Sequence, residues 1–123
     1  MAKILIVDDS RTSRKFLRDI LEKSGNEIVG EAVNGREGFD LYQKLRPDIV
    51  TMDITMPVMD GLDSLKLIMR FDPAANVVMV TAAGQQQKML EAVKLGALEF
   101  IAKPFDTPTI AETVNKIMEK DDE

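Results

Sequence analysis

The chain has 123 residues, 45% of them hydrophobic and 30% charged, with a formal net charge of −5; that fits one globular domain with a real core and lacks the basic footprint of a nucleic-acid binder. No apolar run approaches the roughly 20 residues that span a bilayer, and the short N-terminal run is no secretory signal, so a cytoplasmic, membrane-free protein is expected. There is no Cys and no His, which excludes disulfides, Cys–zinc sites, thiol nucleophiles and any His relay, base or metal ligand, and leaves oxygen and ammonium chemistry with hard cations such as Mg²⁺, Mn²⁺ or Ca²⁺.

Strand-like and helix-like segments alternate along the chain. Ile4-Leu5-Ile6-Val7 is an apolar run ending at Asp8-Asp9. Ser10 stands where a helix N-cap would, Phe16, Leu17, Ile20 and Leu21 repeat at helical spacing, and Gly25 stops the pattern. Ile28 to Val33 predicts a second strand, polar enough for a sheet edge. Asn34 with Glu37 resembles a capping box opening a helix that carries Leu41, Tyr42 and Leu45 and closes before Pro47. Ile49-Val50-Thr51-Met52 then ends at Asp53. Asp60-Gly61 signals a turn, and Leu62, Leu65, Ile68 and Met69 form the next helical stripe. Val77-Val78-Met79-Val80 ends at Thr81. Met89, Ala92 and Val93 mark a fourth helix stopped by Gly96. Phe100-Ile101-Ala102 ends at Lys103-Pro104, and Ile110, Val114, Ile117 and Met118 form a fifth amphipathic helix before the loose acidic tail Asp121-Asp122-Glu123.

Five β-α units imply right-handed crossovers and a parallel sheet with helices on both faces. The four strands ending at Asp8-Asp9, Asp53, Thr81 and Lys103 are apolar enough to be central. Their carboxyl ends, where open α/β sheets bind ligands, then gather three carboxylates, a hydroxyl and an ammonium. Two carboxylates about 5 Å apart repel by roughly 3 kcal/mol at an effective dielectric near 20. Three together require either that one be protonated or that a cation sit among them: Lys103 supplies one charge, and a divalent ion completed by phosphoryl oxygens supplies more. Asp53 can attack phosphorus without a base. Taken singly, Asp8 or Asp9 reads as a helix cap, Asp53 as a turn residue, Thr81 as a strand end and Lys103 as a surface lysine; as a set at strand ends, chance is a poor account of them.

Four pieces in this order carry a resemblance: Ile4-Leu-Ile-Val-Asp8-Asp9-Ser10, the stretch from Asp48 through Met52-Asp53-Ile-Thr-Met-Pro-Val-Met-Asp-Gly61, Val80-Thr81-Ala82, and Phe100-Ile-Ala-Lys103-Pro104-Phe105. The chain resembles the receiver domain of two-component response regulators, of the stand-alone CheY type, over essentially its whole length. The resemblance implies one receiver domain over residues 1–123, doubly wound and flavodoxin-like, with sheet order 2-1-3-4-5, for which CheY is itself a standard example. It implies Asp53 as phosphoacceptor, and Mg²⁺ (or Mn²⁺) held by Asp8, Asp9, Asp53 and the backbone carbonyl of Thr55. Thr81 and Lys103 would contact the phosphoryl group, Thr81 and Phe100 would act as switch residues, and Pro104 would follow a cis bond. Thr55 and Ala83 would tune dephosphorylation. Many members carry Tyr at the position of Phe100.

The implied partners are a histidine kinase as phosphohistidine donor, a downstream target such as the flagellar motor switch, and a phosphatase, meeting a monomer; the switched surface lies near the fourth helix, last strand and fifth helix. Met52-Asp53-Ile54-Thr55-Met56-Pro57 and Gly84-Gln85-Gln86 are similar to chemotaxis regulators of flagellar rotation; a receiver serving another phosphorelay is the alternative. No metabolic enzyme is expected beyond phosphotransfer to Asp53 and its slow loss. A Mg²⁺-dependent aspartyl phosphohydrolase of the haloacid-dehalogenase kind would need a second Asp where Thr55 stands.

Overall fold

The computed structural model describes residues 1–121, with side chains to residue 119. Strands and helices alternate: β1 Lys3–Val7, α1 Arg11–Lys23, β2 Glu27–Ala32, α2 Gly35–Leu45, β3 Ile49–Asp53, α3 Gly61–Phe71, β4 Val77–Thr81, α4 Gln86–Leu95, β5 Glu99–Ala102 and α5 Thr107–Asp121. The strands form one parallel sheet in the order β2-β1-β3-β4-β5. Of the expected loose tail, Asp121 closes α5, and Asp122 and Glu123 lie outside the described residues.

Because side chains alternate along a strand, each central strand feeds two cores. Leu5, Val7, Val50, Met52, Val77 and Met79 meet Tyr42, Leu65, Ile68 and Ala92 on the face covered by α2, α3 and α4. Ile4, Ile6, Ile49 and Val78 meet Leu17, Leu21, Ile110, Val114 and Ile117 on the face covered by α1 and α5. Every residue of β3 and β4 is buried, as strands covered on both faces must be.

Four helices start on side-chain caps, α5 among them, where Asp106 Oδ1 accepts from Thr109 N at 2.9 Å. Ser10, Asn34 and Asp60 accept from the backbone N–H of Ser13, Glu37 and Asp63, removing orphan donors of the first turn. The Asn34 box closes one residue early: Glu37 Oε1 accepts from Val33 N at 3.2 Å. Gly96, at φ 110°, ends α4 in the left-handed conformation, which a glycine adopts without steric penalty.

Three expectations need correction. The second strand starts one residue earlier, at Glu27, and stops at Ala32. The Phe100 strand is not central: β5 is an edge strand pairing with β4 alone, which is why it tolerates half-buried Glu99 and exposed Ala102. Asp60-Gly61 is not a free turn but the capped start of α3.

Candidate functional site

The carboxyl edge of the sheet gathers the predicted cluster. Asp8 follows β1 and is 2% exposed; Asp53 is the last residue of β3 and 8% exposed. Asp9, next to Asp8, is exposed. One carboxylate oxygen from each of the three lies within 4.8 Å of the others. The Lys103 ammonium, just past β5, stands 3.3 Å from Asp8 Oδ2 and 3.6 Å from Asp53 Oδ2.

The backbone holds these groups in place. Asp8 N donates to Ala32 O at 3.0 Å, and Asp8 Oδ1 accepts from Ser10 N at 2.8 Å. Arg14, which no motif in the sequence marks, donates from Nη1 to Asp8 O at 2.8 Å while its Nε donates to Glu31 Oε1 at 3.0 Å, tying the loop after β1 to the edge strand. Asp53 Oδ1 accepts from Ile54 N at 3.0 Å. Gly61 closes onto the same residue: its N–H donates to Ile54 O at 2.7 Å, and a Cβ there would sit 2.0 Å from the Asp53 carbonyl oxygen. Only glycine permits this approach, so Gly61 is a site residue, although its Asp-Gly signal in the sequence marks only a turn.

Burial pushes the Asp53 carboxyl from an ordinary 3.8 up to about 6; the Asp8 charge adds to the rise, and Lys103 and the Ile54 N–H pull against it. A buried acid whose rise from burial and a like charge outweighs its ammonium partner marks a functional position more than a structural one. An all-oxygen set of three carboxylates with one ammonium suits a hard divalent cation, and Asp8, Asp9 and Asp53 are the residues that could hold it.

The remaining predicted residues divide into two groups. Thr81 ends β4, is 5% exposed and pairs beside the site, its carbonyl accepting from Lys103 N at 2.8 Å. Thr55 and Ala83 are exposed in the loops that follow Asp53 and Thr81. The Lys103–Pro104 bond is cis. Phe100 stands apart from the carboxylates: it is half-buried and lines an apolar groove with Gln86, Met89, Leu90 and Val93 of α4. Leu90 and Val93 there are 64% and 53% exposed.

A doubly wound sheet with this acidic carboxyl edge and a lysine at its last strand defines a receiver. Residues 4–115 match the family model described as response regulator receiver domain, and the chain belongs to that family. It is 50% identical to the chemotaxis protein CheY of Thermotoga maritima, an alignment covering 94% of this chain and 96% of that one. To CheY of Bacillus subtilis it is 46% identical, over 94% and 97%. A chain in the crystal structure of the CheX-CheY-BeF3-Mg²⁺ complex from Borrelia burgdorferi superposes with a TM-score of 0.89 at 39% identity, covering 94% of this chain and 88% of that chain. The chain is thus a receiver of the CheY type in two-component signalling, with relatives in chemotaxis. Among the described residues no helix is long and apolar enough to cross a membrane.

Proposed function

We propose that this chain is a phosphorylation-driven switch in which Asp53 accepts a phosphoryl group from the phosphohistidine of a partner kinase. The observation that carries this reading is the placement of Lys103 Nζ 3.3 Å from Asp8 and 3.6 Å from Asp53, within a cluster of three carboxylates of which Asp8 and Asp53 are buried. In the transfer, a carboxylate oxygen of Asp53 attacks phosphorus, the P–N bond to the kinase imidazole breaks, and the imidazole leaves with that electron pair and takes up a proton; the product is an acyl phosphate. With its Oδ1 held by Ile54 N–H, Asp53 presents a fixed nucleophile, so orientation is paid in advance by the fold. Lys103 stabilises the phosphoryl oxygens electrostatically. Asp8, Asp9, Asp53 and the Thr55 carbonyl would hold Mg²⁺, which supplies charge neutralisation for the transferring group.

Thr81 and Lys103 then contact the phosphoryl oxygens, and Phe100 responds beneath α4. The surface of α4, β5 and α5 is the switched face, read by a downstream target. The chemotaxis relatives favour a target at the flagellar motor. Incubation with Mg²⁺ and acetyl phosphate, followed by intact mass, tests the reading. Wild type gains one phosphoryl group and Asp53→Asn gains none; no gain in wild type, or an unchanged gain in Asp53→Asn, would overturn it.

A further inference from the structure

One side chain crosses the mouth of the site. Gln85 Oε1 accepts from Ala82 N at 2.7 Å, and Gln85 Nε2 donates to Thr55 Oγ1 at 3.0 Å. Ala82 follows Thr81, and Thr55 lies two residues beyond Asp53, so the bridge joins the two loops that flank the phosphoacceptor. Gln85 occupies the N-cap place of α4 yet makes no capping bond there, unlike Ser10, Asn34 and Asp60 on α1, α2 and α3. Its amide is turned away from its own helix and committed to the site. The loop it pins is small and exposed: Ala82, Ala83 and Gly84, the last at φ 85° with nothing within 4 Å of where a Cβ would stand. Nothing in that loop's side chains opposes movement.

We propose that Gln85 is a positioning residue that latches the loop after β4 to Thr55 in the unmodified protein, and that its bonds to Ala82 N–H and Thr55 Oγ1 must be given up when a phosphoryl group on Asp53 draws Thr81 and its neighbours inward. The inference rests on phosphoryl uptake at Asp53. The N–H of Ala82 is the backbone donor next to Thr81, and while Gln85 accepts from it, an anion on Asp53 must compete for it. A ligand shifts such an equilibrium only by its differential affinity for the two arrangements. Removing the latch therefore tightens binding of a phosphoryl mimic, and each hydrogen bond released is of a size to change affinity about three- to tenfold.

The experiment is calorimetric titration of beryllofluoride in the presence of Mg²⁺ into wild type, Gln85→Ala, Gln85→Glu and Thr55→Val, with the Gln85→Ala/Thr55→Val pair closing a double-mutant cycle. The expected results are about three- to tenfold tighter binding for Gln85→Ala, none of that gain for Gln85→Glu, whose carboxylate still accepts from Ala82 N–H, and a smaller effect of Gln85→Ala in the Thr55→Val background. Faster hydrogen exchange at the Ala82 amide in unliganded Gln85→Ala is the readout that a bystander on the surface would not move. Unchanged or weaker binding by Gln85→Ala, equal gain in Gln85→Glu, strict additivity, or an unaltered Ala82 amide each overturns the latch. Wild type that takes up no beryllofluoride overturns phosphoryl acceptance itself; wild-type uptake with unaffected variants overturns the latch alone.

Discussion

Strand β3 has an aspartate at each end, and the two are treated in opposite ways. Asp48, just before the strand, is exposed and woven into the backbone: its Oδ2 accepts from Lys3 N at 2.8 Å, its N–H donates to Lys3 O at 2.7 Å, and its carbonyl accepts from Asn76 Nδ2 at 3.1 Å. Asp53, at the other end, is buried among like charges and carries a carboxyl pushed up to about 6. At the amino edge the acid satisfies donors that folding would otherwise orphan. At the carboxyl edge Asp8 and Asp53 each accept one backbone N–H and share the Lys103 ammonium, which leaves three gathered carboxylates facing a single positive charge. A backbone-tying acid and a buried, proton-retaining one are thus separated by the length of one strand.

The strongest way to break the carboxyl end is Gly61→Ala. A Cβ 2.0 Å from the Asp53 carbonyl forces α3 off the strand, and we expect a loss of about 3 kcal/mol or more in chemical denaturation. Next is pH. The folded carboxyl of Asp53 titrates near 6 and the unfolded one near 3.8, so the folded state binds more protons between those values. Its contribution to stability is therefore greatest below about pH 4, falls as pH rises through 6 and is flat above. Without Mg²⁺, Asp53→Asn removes this slope, and the gap between variant and wild type should widen by on the order of 2–3 kcal/mol from pH 4 to pH 7; a gap that narrows would contradict the assignment.

Smaller effects sharpen the contrast. Asp9→Lys takes one charge from the cluster and should raise metal-free stability by about 1–2 kcal/mol, seen as a higher melting temperature; Asp8→Asn should move it in the same direction. Asp48→Ala, at the opposite end, should lower stability by about 1 kcal/mol and leave phosphoryl uptake unchanged. Least of all, Val58→Gly should raise the melting temperature slightly, worth about 0.5–1 kcal/mol: Val58 is 84% exposed at φ 69°, a left-handed conformation that costs a β-branched residue more than glycine loses in chain entropy.

The alternation of apolar runs and helical stripes made the five β-α units legible, because each run has to be covered on both faces. The acids, Thr81 and Lys103 were legible because each follows such a run directly. What periodicity could not tell was the width of each buried stripe. Phe16 belongs to the α1 pattern yet is 50% exposed, stacked on Phe105 with ring centroids 6.0 Å apart. Val93 and Leu90 on α4 are exposed because α4 lies toward the edge of the sheet, where Ala92 is its one fully buried residue among those described. Gly61 and Gln85 were illegible for a different reason. Their roles depend on backbone and side-chain approaches between distant loops, and no local pattern encodes such a distance. The strand order came from the resemblance, since five similar crossovers allow several orders.

The cluster joins side chains from β1, β3 and β5, so its members come from the start, the middle and the end of the chain. No contiguous stretch of sequence contains the site, and no partly folded intermediate that lacks the last strand can bring Lys103 to Asp8 and Asp53. Cation binding by Asp8, Asp9 and Asp53 reports the part of this assembly that joins the start of the chain to its middle. A divalent ion that recognises only this gathered set stabilises the fold by mass action, about 2.7 kcal/mol at a concentration one hundred times its dissociation constant, and held by Asp8, Asp9 and Asp53 it would tie β1 to β3 across the α1, β2 and α2 segments that separate them in the chain. A divalent cation would thus report the pairing of β1 with β3, whereas the Lys103 ammonium reports that the last strand has closed beside them.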